Sequence, residues 1–336
     1  MKIGLIGDLH LGCRGNSRYM MEFSHDYILR KIDYFASIGI EDIILAGDIT
    51  DNRTIIHMLN INFLRKTLKA KIEEHDLNVI VLAGNHDSFY KHELTITSVE
   101  LLMSDYCKVV TTPWNFNDEI DIIPWVCDGN EVHVNDYLSS PSKYCVGHFE
   151  LQGFQLSKNV YSKDGMDAAK LKSYTKVLSG HYHVKQDAGN IFYLGTPYPV
   201  TWTEYGTQKG VYVLDTDLDT LKFIENDDSD SLFHVVNFNT EPDFKYEDCI
   251  GKVVKCNIIE KATPVKMKKF FEEMGNIDLI KLEYIDHTEI EKVDGEVISD
   301  LTGTDLNATI QSYIKENKLS DKVTEYSAVV MGGFDD

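Results

Sequence analysis

The sequence predicts a layered α/β fold, followed by a small second α/β unit and a helical tail. Three observations predict it. Short apolar runs alternate with stretches of helical periodicity as far as Ala83. Further apolar runs then follow closely enough to extend the first sheet or to build a second one against it. Near Asp243 the patterning changes register, which marks a separate unit.

The elements follow in chain order. Ile3 to Ile6 reads as a strand, and Ser24 as the cap of a helix whose Tyr27, Ile28, Ile32, Phe35 and Ile38 are roughly periodic until Gly39 stops it. Ile43 to Ala46 is the next strand. A second helical stretch places Ile55, Leu59, Phe63 and Leu68 near one face, and Val79 to Ala83 completes a βαβ pattern. Later apolar runs lie at Ile122 and Ile123, Tyr144 to Val146, Val177 and Leu178, and Ile191 to Leu194. Gly210 to Leu214 and Leu221 to Ile224 form a strand pair around the acidic turn Asp215 to Asp219, and Glu225 to Ser231 reads as a surface loop. Beyond Asp243, Val253 to Ile258 alternates like a strand. Val265 to Met274 is helical, with Met267, Phe270, Phe271 and Met274 on one side, and Ile277 to Leu282 is again a strand. The polar stretch Asp286 to Asp300 has few apolar anchors, and after it Leu306, Ile310, Tyr313 and Ile314 fall at helical spacing. The expected organisation is a main domain over 1–240, a small unit over 243–287, and a linker with helical tail over 288–336.

Composition sets further limits. With 43% hydrophobic residues in 336, the chain can bury a large core, which excludes intrinsic disorder. No apolar run approaches the ~18 residues of a membrane span, and Asp8 interrupts the opening apolar stretch, so the expected location is the cytoplasm. The six cysteines are scattered without a Cys-x-x-Cys pair and are read as reduced, buried thiols. The net charge of −21 divides unevenly, −6 over residues 1–200 and −15 over residues 201–336. Such acidity excludes a protein that coats nucleic acid by charge alone, but not a local phosphate site built on metal ions.

Five polar motifs each follow a strand-like run directly. They are Gly7-Asp8-Leu9-His10, Gly47-Asp48-Ile49-Thr50-Asp51, Gly84-Asn85-His86-Asp87, Gly147-His148 and Gly180-His181-Tyr182-His183. Ligands of open α/β sheets collect at the carboxyl ends of strands, so these groups should converge on one crest. Any one motif arises by chance in many chains, but five in order, each behind a strand, do not. Asp, His and Asn combine hard oxygens with borderline nitrogens, a set suited to Mn²⁺, Fe²⁺ or Zn²⁺. Seven ligands (Asp8, His10, Asp48, Asn85, His148, His181 and His183) are too many for one ion. They fill two sites if one carboxylate bridges, the arrangement used for in-line displacement at phosphorus.

This ordered set resembles the calcineurin-like metallophosphoesterase superfamily, over residues 8 to about 197. More narrowly it is similar to the SbcD-type DNA repair nucleases, the meiotic-recombination-eleven family, and above all to their tailed-phage versions. That narrower resemblance is carried by Asp8-Leu9-His10-Leu11-Gly12, Ile123-Pro124-Trp125, Cys145 to Leu151, Ser179 to His183 and Gly195-Thr196-Pro197. The resemblance implies a layered β-sandwich core flanked by helices, a capping domain over 243–287, and a two-metal phosphodiesterase acting on DNA ends, with Mn²⁺ as the expected ion. Asp8, His10 and His183 would hold the first ion, Asp48 would bridge, and Asn85, His148 and His181 would hold the second. His86 would stabilise the transition state or protonate the leaving oxygen, with Asp87 orienting it.

The resemblance also implies partners. The tail face of Leu306, Ile310, Tyr313 and Ile314 would dock an SbcC-type ABC ATPase at the base of its coiled coil, the alternative being that it packs on its own domain. The family pairs through nuclease-domain helices, for which Thr54 to Leu68 would serve here in a homodimer. For a phage-encoded chain the compartment would be the host cytoplasm. Archaeal and eukaryotic relatives carry a His where this chain has Asp51, so a role depending on that His does not transfer. All five arginines lie within the first 65 residues, and Arg14, Arg18 and Arg53 follow metal motifs. They would grip DNA phosphates or pair with surface carboxylates. Rival readings are a small-molecule or cyclic-nucleotide phosphodiesterase of the same superfamily, and an inactive scaffold for the ATPase.

Overall fold

A computed structural model of the chain describes residues 1–157, 160–227, 231–238, 244–260 and 263–287. Two six-stranded sheets form its centre. The first has the order β14(Thr220–Glu225), β13(Gly210–Asp215), β1(Lys2–Ile6), β2(Asp42–Leu45), β3(Asn78–Leu82), β4(Lys108–Val110). The second has the order β11(Gln186–Ala188), β12(Ile191–Tyr193), β10(Lys176–Gly180), β7(Tyr144–His148), β6(Ile120–Ile123), β5(Trp114–Phe116). In each sheet the strands that carry the polar motifs run parallel: β1 with β2 and β2 with β3, β7 with β10. The hairpin strands β13 and β14 join β1 antiparallel. A short ribbon, β8(Gln155–Ser157) with β9(Val160–Tyr161), lies apart from both sheets.

The sheets pack face to face. Ile3, Leu5, Ile44, Ile80 and Leu82 of the first share a core with Ile120, Ile122, Tyr144, Val146 and Leu178 of the second. That settles the open choice in favour of a second sheet. The outer face of the first sheet is covered by the helix Arg18–Ser37, through Met20, Tyr27, Ile28, Ile32 and Phe35, and by Phe63, Leu64, Leu68 and Ile72. The outer face of the second is covered around Val134 of the helix Glu131–Leu138, with Phe149, Leu171 and Tyr174. Strands buried on both faces read as continuous apolar runs, which is why the pattern was legible.

Several boundaries differ from expectation. Ser24 caps nothing: the helix begins at Arg18, and the buried Ser24 hydroxyl donates to the Met21 carbonyl at 3.0 Å, a back-bond that satisfies it inside the helix. The second helical stretch begins at Met58, because Asn52 Oδ1 accepts from the Thr54 and Ile55 amides and turns the chain there. Ile55 and Leu59 are therefore exposed while Phe63 and Leu68 are buried, and Phe63–Leu68 winds as a π-helix.

The small unit is a three-stranded parallel sheet, β15(Phe233–Phe238), β16(Val253–Ile258) and β17(Lys281–Asp286), backed by the helix Pro264–Gly275. Its core gathers Val236, Phe238, Val254, Cys256, Ile258, Phe270 and Met274. Ile277 and Leu279 pack against that core ahead of the last strand, which starts at Lys281. Met1–Asp286 forms one compact unit. Leu306, Ile310, Tyr313 and Ile314 lie outside the described residues. All six cysteines are free, and among the described residues no helix is long and apolar enough to cross a membrane.

Candidate metal centre

The carboxyl ends of β1, β2 and β3 meet those of β7 and β10 along one edge of the sandwich. Glycines let them approach so closely. A Cβ on Gly180 would lie 2.3 Å from the Ala46 carbonyl oxygen and 2.5 Å from Asp8 Oδ1, and one on Gly84 would lie 2.2 Å from Asp48 Oδ1. Three of the seven expected ligands adopt left-handed backbone, His10 at φ 45°, Asp48 at φ 47° and His181 at φ 88°. Such residues cost on the order of 1–3 kcal/mol each and persist where the surrounding structure holds them.

Hydrogen bonds aim the side chains inward. His148 Nδ1 donates to the Ala46 carbonyl at 2.8 Å, which leaves Nε2 facing Asn85 Oδ1 at 2.9 Å and Asp48 Oδ2 at 3.4 Å. His181 Nδ1 also lies 2.9 Å from Asn85 Oδ1, while the His181 amide donates to both Asp8 oxygens at 3.0 and 3.1 Å. The His86 amide donates to Asp48 Oδ1 at 2.7 Å. The His183 and His10 rings lie 4.6 Å apart. Two groups of potential ligand atoms result, one of Asp48, His148 and His181, the other of His10, Asp48 and His86, each set within 4.8 Å. Asp48 belongs to both, as a bridging carboxylate must, whereas Asp8 and His183 fall outside the two groups and His86, expected to act on substrate, falls inside one.

These residues fit divalent cations on two further grounds. His10 is buried, and neither ring nitrogen has a well-aligned hydrogen-bond partner, although Asp51 Oδ1 lies 3.2 Å from Nδ1. A buried polar atom without a partner is costly unless something binds it. The electrostatics agree. Burial opposes charge on His10, yet Asp51, Asp48 and Asp8 push it up to about 9; burial likewise opposes charge on His148, and Asp48 and Asp8 push it up to about 9. His181 is driven down to about 3 by burial and by His148. Burial opposes ionisation of Asp48, but His148, His10 and His86 hold it below the carboxylate range. The cluster thus demands buried positive charge, which a dication supplies while the imidazoles release their protons.

Asp87 requires a correction. It was expected to orient His86, but its carboxylate points the other way and accepts from the amides of Ile49 (3.2 Å), Thr50 (2.9 Å) and Gly84 (3.0 Å) and from the Thr50 and Ser98 hydroxyls. It staples the loops after β2 and β3 together. His86 is oriented instead by the backbone carbonyl of Asp51, which accepts from Nδ1 at 2.6 Å. The side chain and carbonyl of Asp51 therefore serve two different histidines.

The arginines divide. Arg14 Nη2 pairs with Glu283 Oε1 of the small sheet at 3.3 Å, and its guanidinium lies over Phe233 and Trp202. Arg18 pairs with Glu22 one turn along its own exposed helix. Arg53 keeps a buried Nη1 without a hydrogen-bond partner.

Two contributors have no role assigned from the sequence: Trp125 stands there only as part of the Ile123-Pro124-Trp125 motif, and Glu204 stands in none. Trp125 packs its ring 5.0 Å from that of His181 and 6.0 Å from that of His148. Its signal was its place after Pro124, directly behind β6. Glu204, buried in the turn Trp202–Glu204, lies 3.1 Å from His183 Nδ1. Burial opposes its ionisation, and His183 and Lys209 hold it down to about 2. No local pattern marks Glu204, since its link to the candidate site runs to His183, 21 residues back in the chain.

A two-sheet α/β sandwich with His and Asp clusters sharing one carboxylate at its strand ends defines a metal-dependent phosphoesterase. The family model for calcineurin-like phosphoesterases matches residues 1–185, more than half of the 336, and the chain belongs to that family. It is also 29% identical over 308 residues to exonuclease subunit 1 of Enterobacteria phage T4, covering 89% of this chain and 87% of that one. A solved archaeal phosphodiesterase shares 15% identity at a TM-score of 0.33, over 67% of this chain and 100% of that one, a likeness too distant to bear on function.

Proposed function

We propose that this chain is the nuclease subunit of an SbcCD-type recombination and repair complex, hydrolysing phosphodiester bonds at DNA ends with two Mn²⁺ ions. The observation that carries the reading is the pair of ligand clusters sharing Asp48. The polymer substrate is supported by the likeness to a phage exonuclease subunit over most of both chains. Asp8, His10 and His183 would hold one ion and Asn85, His148 and His181 the other. Divalent ions there supply a reactive water at neutral pH and neutralise charge at phosphorus.

The chain's own residues do the rest. The His86 Nδ1–H donates a hydrogen bond to the Asp51 carbonyl, which leaves Nε2 as the atom that faces substrate; a doubly protonated ring would pass its Nε2 proton to the leaving oxygen and end as the neutral ring with its proton on Nδ1. Trp125 walls the His181 side of the site. Being a subunit, the T4 relative implies a protein partner, and we assign this chain an SbcC-type ATPase docked on Leu306, Ile310, Tyr313 and Ile314. Self-association through Thr54–Leu68 is favoured by the exposure of Ile55, Met58 and Leu59. The deciding experiment gives the purified chain end-labelled DNA and a generic phosphodiester, with and without Mn²⁺. Mn²⁺-dependent cleavage of both is expected; cleavage of the small ester but never of DNA would instead identify a small-molecule phosphodiesterase.

A further inference from the structure

We propose that Glu204 is a positioning residue for the metal centre, fixing the tautomer and the orientation of His183. The proposal rests on the two-metal reading above and extends it to a residue that none of the five motifs contains. Glu204 Oε1 lies 3.1 Å from His183 Nδ1. An ionised carboxylate can only accept, so the proton of the neutral ring sits on Nδ1 and the lone pair on Nε2, as a metal-ligating imidazole requires.

The surroundings of Glu204 suit this task better than they suit a simple turn. Oε2 accepts from Lys209 Nζ at 2.8 Å, from the Thr196 hydroxyl at 2.8 Å and from the Val200 amide at 3.3 Å, and Oε1 accepts from the Thr201 hydroxyl at 3.1 Å. Both members of the Glu204–Lys209 pair are almost wholly buried. Burying such a pair gains little stability over apolar side chains of the same shape, so its presence calls for a use. Lys209 supplies one by also donating to the His183 carbonyl at 2.8 Å. Thr196 adds another, because its amide donates to that same carbonyl at 3.2 Å. The backbone and the ring of His183 are thus gripped by one cluster, which leaves the ring a single orientation beside His10.

Mn²⁺ calorimetry on the whole chain is the test, comparing wild type, Glu204→Gln and Glu204→Ala. Loss of such an outer partner costs about 10–100-fold in metal affinity. One of two Mn²⁺ sites should weaken by that factor in Glu204→Gln and further in Glu204→Ala, with the other site unchanged. Wild-type affinity at both sites in both variants would overturn the proposal, and so would equal weakening of both sites alongside a lowered Tm, the mark of a purely structural role. Should the variants fail to fold, nitrogen NMR of the ¹⁵N-histidine-labelled wild type decides alone: a His183 proton on Nδ1 supports the proposal and one on Nε2 overturns it. A wild type that binds no Mn²⁺ would sink the two-metal reading and this proposal with it, whereas unaltered variants sink only the role of Glu204.

Discussion

His86 and Asp87 are neighbours in the chain with opposite tasks. His86 faces the cluster with its backbone amide on Asp48 and its ring steered by the Asp51 carbonyl, whereas Asp87 is buried behind the loops and binds three amides. Two predictions separate them. His86→Ala should lower turnover about 10²–10⁴-fold, the usual worth of a positioned proton donor, while Mn²⁺ titration still finds two ions. Asp48→Ala should lose both turnover and metal, since both clusters share it, and loss of an ion from the His86 variant would make that ring a ligand. Asp87→Ala should act on stability instead. It strands three buried amides at about 1–3 kcal/mol each, so urea unfolding should show a loss of roughly 3 kcal/mol or more. A normal urea midpoint with collapsed turnover would restore a direct role for Asp87. The seven proposed ligand positions stand out in the sequence because each belongs to a motif that follows an apolar, strand-like run. The direction of Asp87 is not legible because adjacency in sequence does not tell which way a side chain points around a tight turn, and the role of Glu204 is not legible because His183 comes from another segment.

Among elements, Glu283 ties the small sheet to the main body. Its two oxygens take Arg14 Nη2 at 3.3 Å and Trp202 Nε1 at 2.9 Å, while Trp202 packs its ring 4.7 Å from that of Phe233. Arg14 closely follows the Asp8–His10 loop, and Trp202 opens the turn that ends in Glu204. One carboxylate on β17 thus touches both segments that lead into the metal centre. Glu283→Ala should raise amide hydrogen exchange in β15, β16 and β17 several-fold while leaving exchange in β1 and β2 unchanged. Equal exchange in all five strands would show that the apolar contacts of Leu232, Phe233 and Val253 with the main core suffice. The same contacts explain what sequence reading missed at this scale. Phe233–Phe238 has a half-buried pattern and follows an acidic loop, so no periodicity announced it as a strand, although it pairs with β16 along its full length. Elements buried on both faces, such as β1 and β7, are plain in the sequence, while a helix start set by the Asn52 hydrogen bonds, or a Ser24 hydroxyl satisfied inside its helix, is not.

At the scale of the whole molecule, the proposed polyanion substrate would meet a net charge of −21. Of the arginines beside the metal motifs, Arg14 and Arg18 are already engaged by carboxylates. Few phosphates would then be neutralised by side chains, and since each contributes about −0.9 to the slope of log K against log salt, the chain alone should hold DNA weakly and with a shallow salt dependence. Productive binding would have to come from the metal ions and from a partner, which gives the tail its proposed importance. All seventeen described strands end by Asp286, and so do both ligand clusters. Ending the chain at Asp286 should therefore leave the cooperative thermal transition and Mn²⁺-dependent hydrolysis of a small phosphodiester intact, because no described sheet loses a strand. The face expected of Leu306, Ile310, Tyr313 and Ile314 would be one short helix, and isolated helices shorter than ~12–15 residues are marginal in water, so it would need a surface to lie on. If that surface belongs to the ATPase, the truncated chain should no longer co-purify with it, and ATP-stimulated DNA cleavage should disappear while the small-ester rate stays unchanged. A truncated chain that aggregates, or melts without a cooperative transition, would place the helix in this protein's own core and remove the basis for the docking assignment.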